Sequence, residues 1–372
     1  MWSKEAPRNS EADPRNDKVV FVFPGQGSHY VGMGKDMLDN ANPKAVINAA
    51  NLVYEEASDV LGINMKTLCF EGPEEELNKT SNTQPAIVTT SIAILEAAKA
   101  YAKESDFVLK PDCVAGLSLG ETTALYAGGY WDLAQTVSVS RFRGEIMERV
   151  NIKEPGKMLI TAGFTEFAIK KACEALGVDV GVIHGPSFFI LSGKVEGINQ
   201  AQEMFNGMIN DFKDGKLKDI DQLVHSSVVD PTRAFIEGKL SSDALKKLGA
   251  HVMNISIGSH SSNMSDASDE LEKVLPQFPM QESGIPIFMN VDAQPTTSLE
   301  KIRNNFIENP RRTVRWYDSV GGMIDHGVGL MYEFGAGDVT RVSRRMMRTD
   351  PYKFKSLQLI AITNSASLKQ IN

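Results

Sequence analysis

The most constraining feature of the sequence is a serine set between two glycines, in Gly116-Leu117-Ser118-Leu119-Gly120. An apolar, strand-like segment at residues 112–115 precedes it, and a helix-like segment follows at once. Flanking glycines allow a sharp strand-to-helix turn that presents a serine hydroxyl at a helix N-terminus, where backbone N–H groups and the helix dipole favour a developing oxyanion. The pattern therefore predicts a nucleophilic Ser118. The alternative is an ordinary serine at such a turn, because glycine-rich chains produce the pattern by chance.

Composition limits the class of protein. The chain has 372 residues, 42% hydrophobic and 23% charged, as expected for a soluble globular protein with a large domain that could carry a smaller one. A formal net charge of −8 argues against non-specific nucleic-acid binding, and no apolar run approaches the roughly 20 residues that span a membrane. Residues 1–18 are polar and predict a flexible leader. The scattered cysteines Cys69, Cys113 and Cys173 form no disulfide or metal pattern, which favours a reducing, cytoplasmic location.

The order of predicted elements divides the rest of the chain. Residues 155–257 carry a strand–helix–strand–strand–helix–strand order, which is typical of a ferredoxin-like subdomain. A charged stretch at about 210–248 separates its last helix from its last strand and is predicted to be a surface insertion. Residues 19–154 and 258–350 are predicted to form one large α/β subdomain around it, and residues 351–372 a C-terminal tail.

A nucleophilic serine needs a base, and the chain offers six histidines for that role. They are His29, His184, His225, His251, His260 and His326. His260 is attractive because it follows a predicted strand and lies in the loop Gly258-Ser259-His260-Ser261-Ser262. Spacing alone does not choose among them, since a single histidine is more often a surface or satisfied core residue.

Five segments in this order resemble the malonyl-CoA:acyl carrier protein transacylase family and the acyltransferase domains of polyketide synthases. Together they run from Val19 to about Met347. They are Phe23-Pro24-Gly25-Gln26-Gly27-Ser28, Thr83-Gln84-Pro85-Ala86, Gly116-Leu117-Ser118-Leu119-Gly120-Glu121, Arg143-Gly144 within Arg141-Phe142-Arg143-Gly144-Glu145-Ile146-Met147, and Tyr332-Glu333-Phe334-Gly335-Ala336-Gly337. Five ordered motifs are far more specific than the serine motif by itself.

The resemblance implies an α/β fold in which an α/β-hydrolase-like large subdomain carries an inserted ferredoxin-like small subdomain. It implies that Ser118 is the nucleophile and that His260 is the general base and later the general acid. A backbone carbonyl, expected near Phe306, would orient the histidine. The oxyanion hole would consist of the backbone N–H groups of Gln26 and Leu119.

The resemblance also implies a set of substrate-binding residues. Arg143 is expected to bind the free carboxylate of a malonyl-type acyl group, because a planar guanidinium matches a carboxylate bidentately. Gln84 and Asn290 are expected to line the acyl pocket, and Met147 and His184 to contact the substrate. His184 stands where the family usually has an asparagine.

The implied function is the transfer of a malonyl group from malonyl-CoA, through an acyl-serine intermediate, to the phosphopantetheine thiol of an acyl carrier protein, for fatty acid or polyketide synthesis. The family resemblance implies no metal and no other cofactor, and it suggests a monomer. Two alternatives stay open: an acyl hydrolase of the same fold that releases acyl groups from carrier proteins, and a non-catalytic domain that only docks a carrier protein.

Carrier proteins are usually acidic, so a basic face is expected to attract one to this acidic chain. Two groups of arginines are candidates for that face. One lies on the predicted C-terminal helix and contains Arg341, Arg344, Arg345 and Arg348, and the other contains Arg311, Arg312 and Arg315. The alternative for either group is a solvated helix face.

Overall fold

The computed structural model describes residues 17–213, 249–253 and 257–371. The predicted leader therefore lies outside the described residues except at its end, where Lys18 begins the first strand. Most of the predicted insertion at about 210–248 also lies outside them.

The strands in the described part of the chain are β1 (Lys18–Phe23), β2 (Cys113–Gly116), β3 (Gly156–Ala162), β4 (Asp179–Gly185), β5 (Phe188–Lys194), β6 (Gly249–Val252), β7 (Ile287–Phe288), β8 (Pro295–Thr296), β9 (Val328–Phe334) and β10 (Gln358–Ile362). The α-helices in the same described residues are α1 (Lys44–Leu61), α2 (Met65–Phe70), α3 (Glu74–Leu77), α4 (Thr80–Glu104), α5 (Gly120–Ala127), α6 (Leu133–Lys153), α7 (Glu166–Leu176), α8 (Val195–Lys213), α9 (Ser265–Val274), α10 (Leu299–Glu308), α11 (Trp316–Asp325) and α12 (Asp338–Thr349).

The larger sheet has the strand order β10-β9-β1-β2-β7-β8. Its pairs are parallel except for β7 with β8. The apolar run of β1 is buried on both faces, as a central parallel strand requires. Phe23 pairs with Gly116, so the loops that leave β1 and β2 lie side by side at the carboxyl edge of the sheet. That edge is where open α/β sheets bind their ligands.

The smaller sheet is antiparallel and has the order β4-β5-β3-β6. Helices α7 and α8 cover it through a separate apolar core that includes Leu159, Ile169, Phe189 and Phe205. The strand–helix–strand–strand–helix–strand order predicted for this segment is the order of the elements in its described residues. The predicted fold class, an α/β large subdomain with a smaller antiparallel one, is confirmed.

The C-terminal part of the chain differs from the sequence-based division into subdomains. The sequence predicts a tail at residues 351–372, but β10 pairs in parallel with β9 at the sheet edge. Ile362, Leu368 and Ile371 are buried in the main core, so this segment belongs to the large subdomain. Toward the opposite edge of the sheet, β7 contains only Ile287–Phe288, because Asn290 turns away to bond the serine loop.

Among the residues described, no helix is both long enough and apolar enough to cross a lipid bilayer.

Candidate active site

The serine lies on a tight turn between β2 and α5, and the turn depends on its glycines. Ser118 has a φ of 54°, a left-handed conformation that is strained for a residue with a side chain. A Cβ at Gly116 would lie 1.8 Å from the carbonyl carbon of Gly120, and a Cβ at Gly120 would lie 2.1 Å from the carbonyl oxygen of Phe23. Only glycine fits at both positions. The close packing of strand and helix therefore fixes Ser118 at the top of the sheet.

His260 is the histidine that reaches the serine. Its Nε2 lies 2.6 Å from Ser118 Oγ, and its Nδ1 lies 2.8 Å from the main-chain oxygen of Asn309. Because a carbonyl only accepts hydrogen bonds, Nδ1 carries the proton and Nε2 is free to accept from the hydroxyl. The prediction that this carbonyl lies near Phe306 is wrong by three residues. His260 also has a left-handed backbone, with φ of 63°.

The electrostatic surroundings keep His260 neutral. It is only 2% exposed. Burial and the nearby charge of Arg143 lower its pKa to about 4, against the opposing effect of the main-chain acceptor at Asn309. At neutral pH the imidazole is therefore unprotonated at Nε2, which is the state that a general base needs.

The loop after β1 approaches the serine turn closely and lies beside it. A Cβ at Gly25 would lie 2.6 Å from the carbonyl oxygen of Leu117. Gln26, on this loop, lines the cavity that holds Ser118, and Leu119 is the first residue before α5. Within the described chain, neither backbone N–H donates to a protein acceptor. Both N–H groups are thus available, and their role as an oxyanion hole stays a prediction.

A cavity of about 460 Å³ opens between the two subdomains above the serine. Its polar wall includes Gln26, Ser118, Arg143, His184 and His260. Its apolar wall combines side chains of both subdomains, namely Leu117, Met147, Met158, Ile160, Val182, Phe188, Ile190, Met253 and Val342. The volume and lining suit a small polar group carried on a longer, mostly apolar arm.

Arg143 is a buried cation in this cavity and is 3% exposed. Its Nη1 donates to Gln84 Oε1 at 2.9 Å, and its Nη2 donates to Asn309 Oδ1 at 3.0 Å. Burial lowers its pKa to about 10, and Glu121 opposes that change, so the guanidinium stays charged at neutral pH. Both acceptors are neutral amides, and the other N–H groups of the guanidinium are available to an anion in the cavity.

Two predicted pocket residues lie elsewhere. The cavity wall does not include Gln84 or Asn290. Gln84 instead orients Arg143, and its Nε2 lies 3.4 Å from Met147 Sδ. Asn290 braces the serine turn, because its Oδ1 accepts the Ser118 N–H at 2.7 Å and its Nδ2 donates to the Gly116 carbonyl at 2.7 Å.

His184 and Met147 do line the cavity. His184 is 4% exposed and stacks on Phe188 with ring centroids 5.3 Å apart. Its Nδ1 has no hydrogen-bond partner among the described residues. Burial, and to a lesser extent the charge of Arg345, lowers its pKa to about 3, so the ring is neutral.

The sequence analysis did not assign two candidate functional residues to the site, Glu121 and Asn309. Glu121 Oε2 accepts from Asn309 Nδ2 at 2.8 Å, next to both Arg143 and His260. Glu121 ends the serine segment that carries the family resemblance, and that position is the signal that could have identified it. Asn309 lies outside the five segments. In the part of the chain that the structure describes, no three His, Cys, Asp or Glu side chains are grouped to hold a metal ion.

The family, the relatives and the solved structure that this chain resembles agree with one another. The sequence pattern of the acyl transferase domain matches residues 20–206. The polyketide biosynthesis malonyl CoA-acyl carrier protein transacylase BaeC of Bacillus velezensis is 31% identical over 325 residues, which cover 86% of this chain and 93% of that protein. The malonyl CoA-acyl carrier protein transacylase of Escherichia coli K12 is 30% identical, with 89% and 94% covered. A solved malonyl-transacylase, in complex with its type II polyketide synthase acyl-carrier protein, superposes with a TM-score of 0.75 at 27% identity, covering 95% of this chain and 99% of that chain.

Proposed function

The chain belongs to the acyl transferase family, and from that premise we infer that it is a malonyl-CoA:acyl carrier protein transacylase. The observation that carries the inference is Arg143, a buried cation in the cavity that holds Ser118 and His260. A buried charge with no carboxylate directly bonded to it is unfavourable unless an anion arrives with the substrate. The acyl group that suits the site therefore ends in a carboxylate, as malonyl does.

The first half-reaction acylates the serine. Ser118 Oγ attacks the thioester carbonyl of malonyl-CoA while His260 Nε2 takes the hydroxyl proton. The N–H groups of Gln26 and Leu119 bind the oxyanion that forms on the carbonyl oxygen. The tetrahedral intermediate collapses, the carbon–sulfur bond breaks, and His260 returns the proton to the departing thiolate of coenzyme A.

The second half-reaction repeats these steps with a different thiol. The phosphopantetheine thiol of an acyl carrier protein enters the emptied cavity and gives its proton to His260. Its sulfur attacks the malonyl-serine ester, and Ser118 leaves and takes the proton back. Coenzyme A must depart before the carrier arrives, so ping-pong kinetics follow. These steps use only side chains and backbone N–H groups of this protein, and we propose that no cofactor takes part.

Arg143 supplies the selection for malonyl. Its free N–H groups take the terminal carboxylate bidentately in a site that is shielded from water. Such a charge-assisted contact contributes about 1.5–3 kcal/mol, which is roughly a tenfold to hundredfold preference over acetyl. An enzyme that hydrolyses varied acyl chains gains nothing from a buried cation, and the named relatives are transacylases. The hydrolase alternative has no support.

We place the carrier protein on α12 and not on residues 311–315. Every arginine of the second group is already paired with carboxylates: Arg311 with Glu308 and Asp269, Arg312 with Glu308, and Arg315 with Asp318.

On α12, in contrast, Arg344 and Arg348 are exposed and have no carboxylate partner among the described residues. Arg345 lies at the cavity itself, 3.9 Å above the ring of Phe188. Unpaired positive charge on the helix that lines one side of the cavity favours an acidic protein that inserts its phosphopantetheine arm.

The monomeric state and the cytoplasmic location stay proposals. All three cysteines, Cys69, Cys113 and Cys173, are free thiols, which supports a reducing compartment.

Intact-protein mass spectrometry after brief exposure to malonyl-CoA tests the function. We expect a malonyl adduct on the wild type that disappears when a holo carrier protein is added, with malonyl then found on the carrier. The Ser118→Ala variant should carry no adduct. Release of free malonate without transfer to the carrier would contradict the proposal.

A further inference from the structure

One buried carboxylate connects the parts of the site. Glu121 lies in the first turn of α5 and is 1% exposed. Its Oε1 accepts the backbone N–H of Asn290, whose side chain accepts the N–H of Ser118. Its Oε2 accepts from Asn309 Nδ2 at 2.8 Å. Glu121 thus contacts both the brace of the serine turn and the segment that carries Asn309.

Asn309 uses both of its oxygen atoms on the two groups that act on substrate. Its Oδ1 accepts from Arg143 Nη2 at 3.0 Å, and its main-chain oxygen accepts from His260 Nδ1 at 2.8 Å. The residue is 2% exposed, so water does not compete for these bonds. A movement of Asn309 would therefore displace the guanidinium and the imidazole together.

The donor and acceptor types of its neighbours allow the side-chain amide of Asn309 only one orientation. Arg143 can only donate, and an ionised Glu121 can only accept. The amide must therefore turn its oxygen to Arg143 and its nitrogen to Glu121. Burial raises the pKa of Glu121 to about 8, and the N–H of Asn290 and the charge of Arg143 act against that rise. That value lies above neutral pH, but the bonding pattern is that of the ionised form, because both carboxylate oxygens accept a hydrogen bond and neither donates one.

We propose that Glu121 is a positioning residue that acts through Asn309 to hold Arg143 and His260 in one fixed arrangement around Ser118. One carboxylate then aligns the cation that selects the acyl group and the base that activates the serine. The part of this proposal that concerns the selection of malonyl rests on the proposed function. The part that concerns the position of His260 does not, because it follows from the contacts of Glu121 and Asn309 alone.

The variant Glu121→Gln tests this with almost no change of shape. The amide oxygen that it introduces can still accept from Asn290, but the new NH₂ group faces the NH₂ group of Asn309. If the amide of Asn309 rotates to relieve that contact, it turns a donor toward Arg143. Two readouts apply: the ratio of kcat/KM for malonyl-CoA to that for acetyl-CoA, and the second-order rate at which a serine-directed fluorophosphonate labels Ser118. The second needs no natural substrate.

Two further variants make the result specific. Thr123→Val is the matched control, because Thr123 is buried on the same helix and its hydroxyl has no partner among the described residues. The double variant Glu121→Gln/Asn309→Asp exchanges the carboxylate and the amide between the two positions. The amide at position 121 would then donate to the carboxylate at position 309, and that carboxylate would accept from Arg143, so every bond in the chain is restored in polarity. Titration of the active fraction corrects all rates for misfolded protein.

We expect Glu121→Gln to lower both the acyl ratio and the labelling rate by at least about tenfold, because charge-assisted buried bonds are lost. Thr123→Val should match the wild type. The double variant should label at a rate within about threefold of the wild type, although its acyl ratio stays low because the carboxylate at position 309 occupies Arg143 directly.

The proposal is overturned if Glu121→Gln keeps the wild-type ratio and labelling rate per active molecule, or if the double variant labels no faster than the single one. If Glu121→Gln does not fold, the labelling rate of the double variant relative to the wild type tests the proposal by itself. A wild type that transfers no malonyl but whose labelling depends on Glu121 would refute the proposed function and leave the positioning role standing.

Discussion

Ser118 and His260 face each other across 2.6 Å, and both hold a left-handed backbone, with φ of 54° and 63°. Neither residue is glycine, so the fold maintains this strain at both members of the pair. The strain at Ser118 is fixed by the strand-to-helix turn, and that at His260 by main-chain and side-chain bonds to the segment at 309–310. The catalytic contact is therefore built into the backbone before any substrate binds.

The strain at Ser118 predicts an unusual order of stabilities. Ser118→Gly should be more stable than Ser118→Ala by about 0.5–1 kcal/mol, because glycine adopts a positive φ without the steric cost of a Cβ. Both variants lose the nucleophile, so the comparison isolates the backbone. Urea unfolding of the two proteins measures the difference, and an alanine variant of equal or greater stability would show that the turn is not strained.

The pKa of His260 predicts how the acylation rate changes with pH on the acid side. The base must be neutral, and its pKa is lowered from 6.5 to about 4, so the acylation rate should rise with pH through about 4 and level off well below pH 6.5. Single-turnover acylation by malonyl-CoA at several pH values measures this. A midpoint near 6.5 would mean that the imidazole is more solvated than its 2% exposure indicates.

The same shift has a consequence for stability. Because the unfolded histidine binds a proton below 6.5 and the folded one does not until about 4, His260 makes the free energy of unfolding decrease as the pH falls through this window. His184, with its pKa lowered to about 3, acts in the same direction. The variant His184→Asn should therefore lose less stability between pH 6.5 and pH 4 than the wild type does. Urea midpoints at both pH values check this, and an unchanged pH dependence would contradict it.

Removal of the Arg143 charge should change the acyl preference. Arg143→Met should lower kcat/KM for malonyl-CoA by roughly tenfold to hundredfold while acylation by acetyl-CoA is retained, because only malonyl brings a carboxylate. Arg143→Lys is the matched variant, since it keeps the charge and loses the bidentate geometry, and it should fall in between. Competition of the two thioesters, read by mass spectrometry of the acyl-serine, measures the preference. Equal losses for both acyl groups would remove Arg143 from the selection.

Neutralising the free arginines of α12 should weaken binding of the carrier protein and leave coenzyme A thioesters unaffected. Arg344→Gln/Arg348→Gln is expected to raise the KM for the carrier severalfold at low ionic strength, with the effect fading as salt is added. Arg312→Gln serves as the control because that arginine is already paired with Glu308. If the control and the α12 variant give the same KM, the carrier docks elsewhere.

Residues near each other in sequence are the ones that sequence patterns place well. The helix-like segment that the sequence predicts directly after the serine turn is α5, which begins at Gly120. β10 is missed although its sequence, Gln-Leu-Ile-Ala-Ile, is apolar, because so short a run does not show by itself that it pairs with a strand of the large sheet. The carbonyl that orients His260 is predicted at Phe306 but belongs to Asn309, almost one helical turn away, because sequence does not define the direction in which a helix end presents its oxygens.

Residue type and local pattern define the chemistry available to this protein. The serine between two glycines, a base among six histidines and the arginine of the Arg143 motif are local features, since each depends on its own side chain and its nearest neighbours. How these groups are joined depends on the fold. Asn309 meets Arg143 across 166 positions and Glu121 across 188, and Asn290 reaches Ser118 across 172. Such contacts arise because the sheet order brings the ends of β1, β2 and β7 together, and a buried polar group must then bond whatever neighbour that packing provides.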